Sequence, residues 1–287
     1  MSALSTLPLY QGILYRISND ENKETEATGY LAGACHAFVP PDQDCSFNEE
    51  MNRAIQNSET VYLESSPFGG IENMDSINVN ALEAFNFTTG IERKILNIVL
   101  TIKKKLKGLE SLEEHQAIEL RIKEALQNLS TDFFKLSQEE QQTIDRIYKK
   151  ILYIPNLITL VYKYGDKQLL KSLTSVLFPT QALRQAHLWD RNPKMAEKIH
   201  LSLKNKERPF IAVGSSHLWS TKTLGEEGVV KLLRKKGWKV ERIQSPGDSK
   251  NFLDECTKHF LNVHTTINPE QAASEISRIV DEIKAAI

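Results

Sequence analysis

Two short apolar runs, each ending in glycine and followed by a histidine, constrain the fold of this chain more than any other feature. The run at 209–213 opens with a proline and ends at Gly214, and His217 follows three positions later. This composition predicts a buried strand that stops at a tight corner. Near the N-terminus, Gly33 and His36 close a second apolar run in the same way. Two strand-end Gly-x-x-His corners predict that two imidazoles meet at one site.

The order of predicted elements around the two corners indicates an α/β protein. Strands at 12–17 and 28–35 predict a hairpin, and a helix opened by a Ser46–Glu49 capping box leads to a strand at 60–64. The second half repeats strand, helix and strand, with Gly237 ending the helix. We therefore predict two related βαβ-type halves that form a central mixed β-sheet flanked by helices.

The segment between the two halves shows helical spacing of its apolar residues, including Leu106. Ser137 and Glu140 form a second predicted capping box within it. The domain prediction is a first α/β half with its Gly-x-x-His corner at 1–80, an all-helical insert at 81–180, and a second half with its own corner at 181–287.

Composition limits the classes of function. The 287 residues carry 36 basic and 37 acidic side chains, so no overall field favours nucleic acid or an anionic membrane. No apolar stretch approaches the length of a membrane span, and residues 1–10 do not resemble a signal peptide. Three cysteines without a Cys-x-x-Cys pattern argue against a disulfide scaffold. We expect a soluble, bacterial, cytoplasmic protein, with signal-independent export as the alternative.

The strand ends supply a candidate set of metal ligands. His36 and Glu64 both follow predicted parallel strands, whose carboxyl ends share a crevice, and His217 ends the matching strand of the second half. Two imidazoles and a carboxylate are typical of a catalytic divalent-metal site, where bound water is activated for hydrolysis. Backbone amides and small side chains near the metal, or near a developing oxyanion, are expected at Gly33, Gly214, Ser215 and Ser216.

Other interpretations of these residues stay open at the level of sequence. A single histidine after a strand is more often structural than catalytic. Only the presence of two such histidines together with Glu64 supports the catalytic interpretation as well as the structural one. Cys35 and His36 would form a nucleophilic pair, but neighbours on a strand point to opposite faces. His187 lies near Asp190 and Arg191 in the sequence and is a weaker candidate for lining the site. The remaining histidines show no partner pattern and are predicted to be incidental: His115, His200, His259 and His264.

Several segments carry a family resemblance. They are Gly33-Ala34-Cys35-His36, Val61-Tyr62-Leu63-Glu64, Asp190-Arg191-Asn192-Pro193-Lys194-Met195-Ala196, Val213-Gly214-Ser215-Ser216-His217-Leu218, Gly228-Val229-Val230-Lys231-Leu232-Leu233 and Gly237-Trp238-Lys239-Val240. In this order they resemble the TraB/GumN/Tiki family, a group within the erythromycin esterase/ChaN-like superfamily. The two Gly-x-x-His corners are the hallmark of that family.

The resemblance implies an α/β fold of two related halves and, in Tiki-like members, metal-dependent proteolysis. If the roles of the matching family residues apply to this chain, His36, Glu64 and His217 would hold a divalent ion or activate water. Arg191 would stabilise a carboxylate or polarise substrate. Manganese, cobalt or zinc is the expected cofactor. The expected partners are a peptide or small-molecule substrate and a second copy of the chain in a homodimer, with no nucleic acid and no membrane span.

The sequence also departs from the family pattern. Ala34 replaces the usual threonine of the first corner, Ser66 replaces an acidic residue, and Asp190 replaces a glutamate. These changes keep an alternative open, in which the fold binds a ligand without catalysis. Haem and a peptide signal are the ligands suggested by other members of the superfamily. A bacterial effector exported without a signal peptide is compatible with either chemistry.

Overall fold

A computed structural model describes residues 9–10, 13–19, 28–34, 46–65, 91–219, 227–243 and 248–285. His36, Cys35, Cys45 and Ser66 lie outside these residues. The predicted α/β class is confirmed, because helices flank a mixed six-stranded sheet. Its strands, in chain order, are β2 (Ile13–Asn19), β3 (Gly29–Ala34), β5 (Thr60–Ser65), β6 (Lys105–Glu110), β7 (Pro209–Gly214) and β8 (Trp238–Ile243). Their order in the sheet is β6-β5-β7-β3-β2-β8.

Strand β7 lies at the centre of the sheet, where the apolar run of its sequence is fully buried. It pairs in parallel with β3 on one side and with β5 on the other, and β6 continues the parallel set beyond β5. The predicted hairpin is confirmed, since β2 runs antiparallel to β3, and β8 then pairs antiparallel to β2. The carboxyl ends of four strands, β3, β7, β5 and β6, therefore share one edge of the sheet. Two further short strands, β1 (Leu9–Tyr10) and β4 (Ser46–Phe47), pair with each other.

Helices cover the sheet and supply most of the remaining core. The described helices are α1 (Glu49–Asn57), α2 (Ile91–Thr101), α3 (Leu112–Gln127), α4 (Leu129–Phe134), α5 (Gln138–Tyr153), α6 (Leu157–Tyr164), α7 (Lys167–Leu177), α8 (Gln181–Arg184), α9 (Asn192–Lys204), α10 (Val229–Lys235), α11 (Asp248–Val263) and α12 (Pro269–Ala285). A π-helical turn, Gln185–Trp189, joins α8 to the segment before α9. No helix among the described residues is long and apolar enough to cross a membrane.

Two local predictions are wrong. The insert at 81–180 is not entirely helical, because Lys105–Glu110 forms β6. Its buried residues, Leu106, Leu109 and Glu110, are spaced three and four apart, which is also the spacing of a helix face. The hydrogen-bond ladder with β5 decides the conformation. The first capping box is also wrong: Asn48 caps α1 by accepting a hydrogen bond from the amide of Met51, while Ser46 belongs to β4.

Other predicted ends are confirmed. Ser137 and Glu140 form the second capping box, and Gly237 ends the helix of the second half with φ of +86°. Strands from both predicted halves belong to one sheet, with β7 of the second half inserted between β5 and β3 of the first. The division at residues 80 and 180 stays a prediction.

Candidate functional site

A buried polar cluster lies at the shared carboxyl edge of the parallel strands. Glu64 lies near the end of β5, Glu110 is the last residue of β6, and β7 leads into a 3₁₀ turn, Ser215–His217. Each residue is almost completely excluded from solvent, with 7% of Glu64, 6% of Glu110 and 4% of His217 exposed. Buried charges of this kind are rare unless they are paired, so their partners define the site.

Arg191 joins the two carboxylates. Its Nε donates to Oε1 of Glu110 at 2.6 Å and its Nη2 donates to Oε2 of the same group at 2.9 Å. The same Nη2 also donates to Oε1 of Glu64. On the other side, the backbone N–H of Gly214 donates to Oε2 of Glu64 at 2.6 Å. One guanidinium therefore bridges two buried carboxyl groups.

The segment before α9 explains how Arg191 reaches the cluster. The π-helical turn ends at Trp189, and α9 begins at Asn192, so Arg191 and Asn192 lie at a break between two helical segments. π-Turns of this type change the direction of neighbouring side chains and often occur at functional sites. Arg191 and Asn192 are both buried here, and each contacts a different polar group of the site.

Asn192 fixes the tautomer of His217. The side-chain amide nitrogen of Asn192 donates to the backbone carbonyl of Glu227 at 3.2 Å, so its oxygen must face the other way. That oxygen lies 2.7 Å from Nδ1 of His217. Because an amide oxygen only accepts, Nδ1 carries the proton. In the neutral ring the lone pair is then on Nε2, which lies 3.4 Å from Oε1 of Glu64.

The electrostatics of the cluster favour the charged forms of Glu110 and Arg191 and the neutral form of His187. Burial alone would raise the pKa of Glu110, but hydrogen bonds from His115 and Arg191 outweigh it and hold the pKa below its usual value. Burial would likewise lower the pKa of Arg191, and the charges of Glu64 and Glu110 raise it instead. Burial next to Arg191 lowers the pKa of His187 to about 4, so this ring is neutral at pH 7.

The structure brings together Glu64, Arg191 and His217, three of the four residues predicted to be catalytic. The fourth, His36, lies outside the described residues. It follows β3, whose last residue Ala34 pairs with Gly214 at the same edge of the sheet. The assignment of these four residues to catalysis stays a prediction.

The predicted binding residues have different environments. The backbone amide of Gly214 donates its hydrogen bond to Glu64. Gly33 is tightly packed, because a Cβ there would lie 2.8 Å from Leu218. A side chain at position 33 would therefore require Leu218 and Ile13 to shift. The hydroxyl of Ser215 is buried and has no hydrogen-bond partner among the described residues, whereas that of Ser216 lies 3.5 Å from the hydroxyl of Thr174.

Two residues of the cluster were missed by sequence reasoning. Glu110 was one acidic residue in a charged stretch interpreted as helical, and no local signal distinguishes it. Asn192 directly follows Arg191 in the family segment quoted above. Its position was a usable signal, but only Arg191 was predicted to belong to the site. His187, given a smaller claim, contributes its backbone carbonyl to Nη1 of Arg191 at 3.2 Å, and its ring packs on Phe178.

The donor atoms fit part of a metal site. Within the described ranges, no group of three or more histidine, cysteine, aspartate or glutamate side chains is arranged to hold a metal ion. Two suitable donors do face each other, Nε2 of His217 and Oε1 of Glu64, at 3.4 Å. The hydrogen bond from Nδ1 of His217 to Asn192 is the type of outer contact that orients a metal-binding histidine.

Fold and site together define an α/β protein with a buried carboxylate–guanidinium–imidazole cluster at the carboxyl edge of a mixed sheet. A model of the TraB/PrgY/gumN family matches residues 71–242, more than half of the chain, and the chain belongs to this family. The match includes Arg191 and His217 as well as the helical middle, while the first corner and Glu64 precede it. No curated protein and no solved structure matches the chain.

Proposed function

We propose that this protein is a metal-dependent hydrolase of the TraB type, with peptides as the favoured substrate class. The observation that carries the proposal is the pair formed by His217 and Glu64. Nε2 of His217 lies 3.4 Å from a carboxylate oxygen of Glu64 in a buried site, and in the neutral ring this nitrogen carries the lone pair. Two electron-rich atoms in this relation are stabilised by a proton or a cation between them.

The side chains around the pair would prepare it for such chemistry. Asn192 holds the tautomer of His217 that leaves Nε2 available, and the amide of Gly214 fixes one oxygen of Glu64. Arg191 favours the ionised form of Glu64, which a ligand or a general base requires. His36, Glu64 and His217 would hold the ion, and manganese, cobalt and zinc all accept imidazole and carboxylate ligands. When bound, the ion would supply an activated water for hydrolysis.

The proposal is tested by metal content and peptide cleavage in the same preparation. Purified protein is stripped with a chelator, titrated separately with Mn²⁺, Co²⁺ and Zn²⁺, and assayed against a mixture of peptides. We expect one ion to restore cleavage in the wild type, and neither His217→Ala nor Glu64→Gln to respond. The matched control is His259→Ala, because this histidine contacts Asn156 and belongs to no part of the cluster.

Cleavage that persists after metal removal, and that is equal in wild type and His217→Ala, would contradict the proposal. Metal binding without any cleavage would instead favour the non-catalytic alternative. A haemin titration then separates its haem version from a peptide-binding one, because haem bound at the site produces a shifted Soret band.

A further inference from the structure

Glu110 makes the most extensive contact of the cluster, although it has no predicted role. Its carboxylate accepts two hydrogen bonds from one edge of Arg191, one from Nε and one from Nη2. This side-on pairing is bidentate, and it fixes the plane of the guanidinium as well as its distance. Glu110 reaches this position because it ends β6, directly beside β5, whose Ser65 is its partner in the ladder.

The donors of Arg191 are almost fully used by this arrangement. Its Nε–H and the two Nη2 hydrogens are directed to Glu110 and Glu64, and Nη1 donates to the carbonyl of His187. The contact to Glu64 is made through a single nitrogen, so it does not by itself set the orientation of the guanidinium. The bidentate pair with Glu110 does.

We propose that Glu110 is a positioning residue of this site. It holds the guanidinium of Arg191 in the orientation in which Nη2 donates a hydrogen bond to Glu64. It acts through Arg191 and does not touch the reacting atoms. The expected effect of Glu110 on hydrolysis rests on the proposed hydrolase function. The geometric part, the orientation of Arg191 by Glu110, does not depend on it.

A cavity beside the pair makes this role testable by chemical rescue. A space of about 130 Å³ is lined by Glu110 and Arg191, with Glu114, Arg121 and Lys194 on its polar walls. Replacement of Glu110 by alanine removes a carboxylate from the wall of this cavity. Formate has the same carboxylate and is small enough to take its place next to Arg191. Formamide has nearly the same shape without the charge.

The experiment compares wild type, Glu110→Ala and a matched control, Glu114→Ala, each with and without formate or formamide. Glu114 lines the same cavity but pairs with Lys198 and is more exposed. The first measurement is the solvent exchange of the Arg191 Nε–H in ¹⁵N-labelled protein, assigned by its loss in Arg191→Lys. We expect exchange to be about 10-fold faster or more in Glu110→Ala, restored by formate only, and unchanged in Glu114→Ala.

The second measurement is peptide hydrolysis under the same conditions. Loss of a residue that orients a site group typically costs about 10- to 100-fold in activity or metal affinity, and we expect this loss in kcat with KM nearly unchanged. Formate should restore part of it. In the double variant with Arg191→Lys, removal of Glu110 should have little further effect, because its influence passes through Arg191.

Unchanged Nε–H exchange in Glu110→Ala, or equal rescue by formamide and formate, would overturn the inference. If the wild type has no hydrolase activity, the proposed function fails, whereas the exchange measurement still decides the role of Glu110. If Glu110→Ala does not fold, Glu110→Gln keeps the shape and removes the charge. Its Nε–H exchange should change in the same direction, and exchange equal to that of the wild type would refute the inference.

Discussion

Replacement of Arg191 by methionine tests the cluster at its central residue. Methionine is apolar and similar in length, so the main change is the loss of the charge between two buried carboxylates, Glu64 and Glu110. Removal of one partner from a buried ion pair costs about 3–5 kcal/mol, because an uncompensated charge stays behind. Glu64 keeps its bond from Gly214, and Glu110 keeps its contact with His115 at 3.5 Å. We therefore expect a loss in this range near neutral pH.

The loss should depend on pH, with a definite sign. In the wild type the pKa of Glu110 is lowered, so its stabilising contribution is present above the unfolded pKa and is lost as pH falls through the folded value. Without Arg191, burial raises the pKa of the carboxyl groups instead. The variant is then penalised where they are ionised and is relieved when they are protonated. The difference in unfolding free energy should be largest at about pH 8 and smaller at about pH 5.

Urea unfolding of both proteins at several pH values measures this difference. The matched control is Arg121→Met, because Arg121 pairs with Asp190 at 2.6 Å at a more exposed position. An exposed pair contributes about 1 kcal/mol or less, so the control should lose much less stability. A loss at Arg191 no larger than that of the control, or one that does not change between the two pH values, would refute the argument.

Three further predictions follow from particular residues of the structure. Gly228→Ala should lower the unfolding free energy by about 1–3 kcal/mol in urea titrations, because a Cβ there would lie 2.4–2.6 Å from backbone atoms of residues 218 and 219. Burial raises the pKa of the Cys256 thiol to about 12, so in a variant whose other cysteines are serine we expect no reaction with a thiol reagent until unfolding. The hydrogen bond to Glu110 raises the pKa of His115, so its stabilisation is present below the unfolded pKa and is lost as pH rises through the folded value. His115→Gln should therefore be less stable than the wild type at about pH 5.5 and nearly equal at about pH 9.

Much of the fold and two residues of the site, Glu64 and His217, could be predicted because the relevant signals are local. Short apolar runs ending in glycine predicted strands β3 and β7 and pointed to His217, and the carboxylate at the end of the apolar run 61–63 pointed to Glu64. Arg191 came from the family resemblance. Glu110 could not be found in this way, since its pattern fits a helix, and only pairing with β5 places it beside Arg191.

The sequence by itself determined where most strands lie, which of their ends carry histidine or carboxylate, and that the protein is α/β. These properties follow from the periodicity and turn preference of neighbouring residues. Only the tertiary structure decided that β7 lies between β5 and β3, and that Asn192 sets the tautomer of His217. Both depend on hydrogen bonds between residues far apart in the chain. Such partners are determined by the packing of the whole sheet, and a local sequence pattern does not predict them.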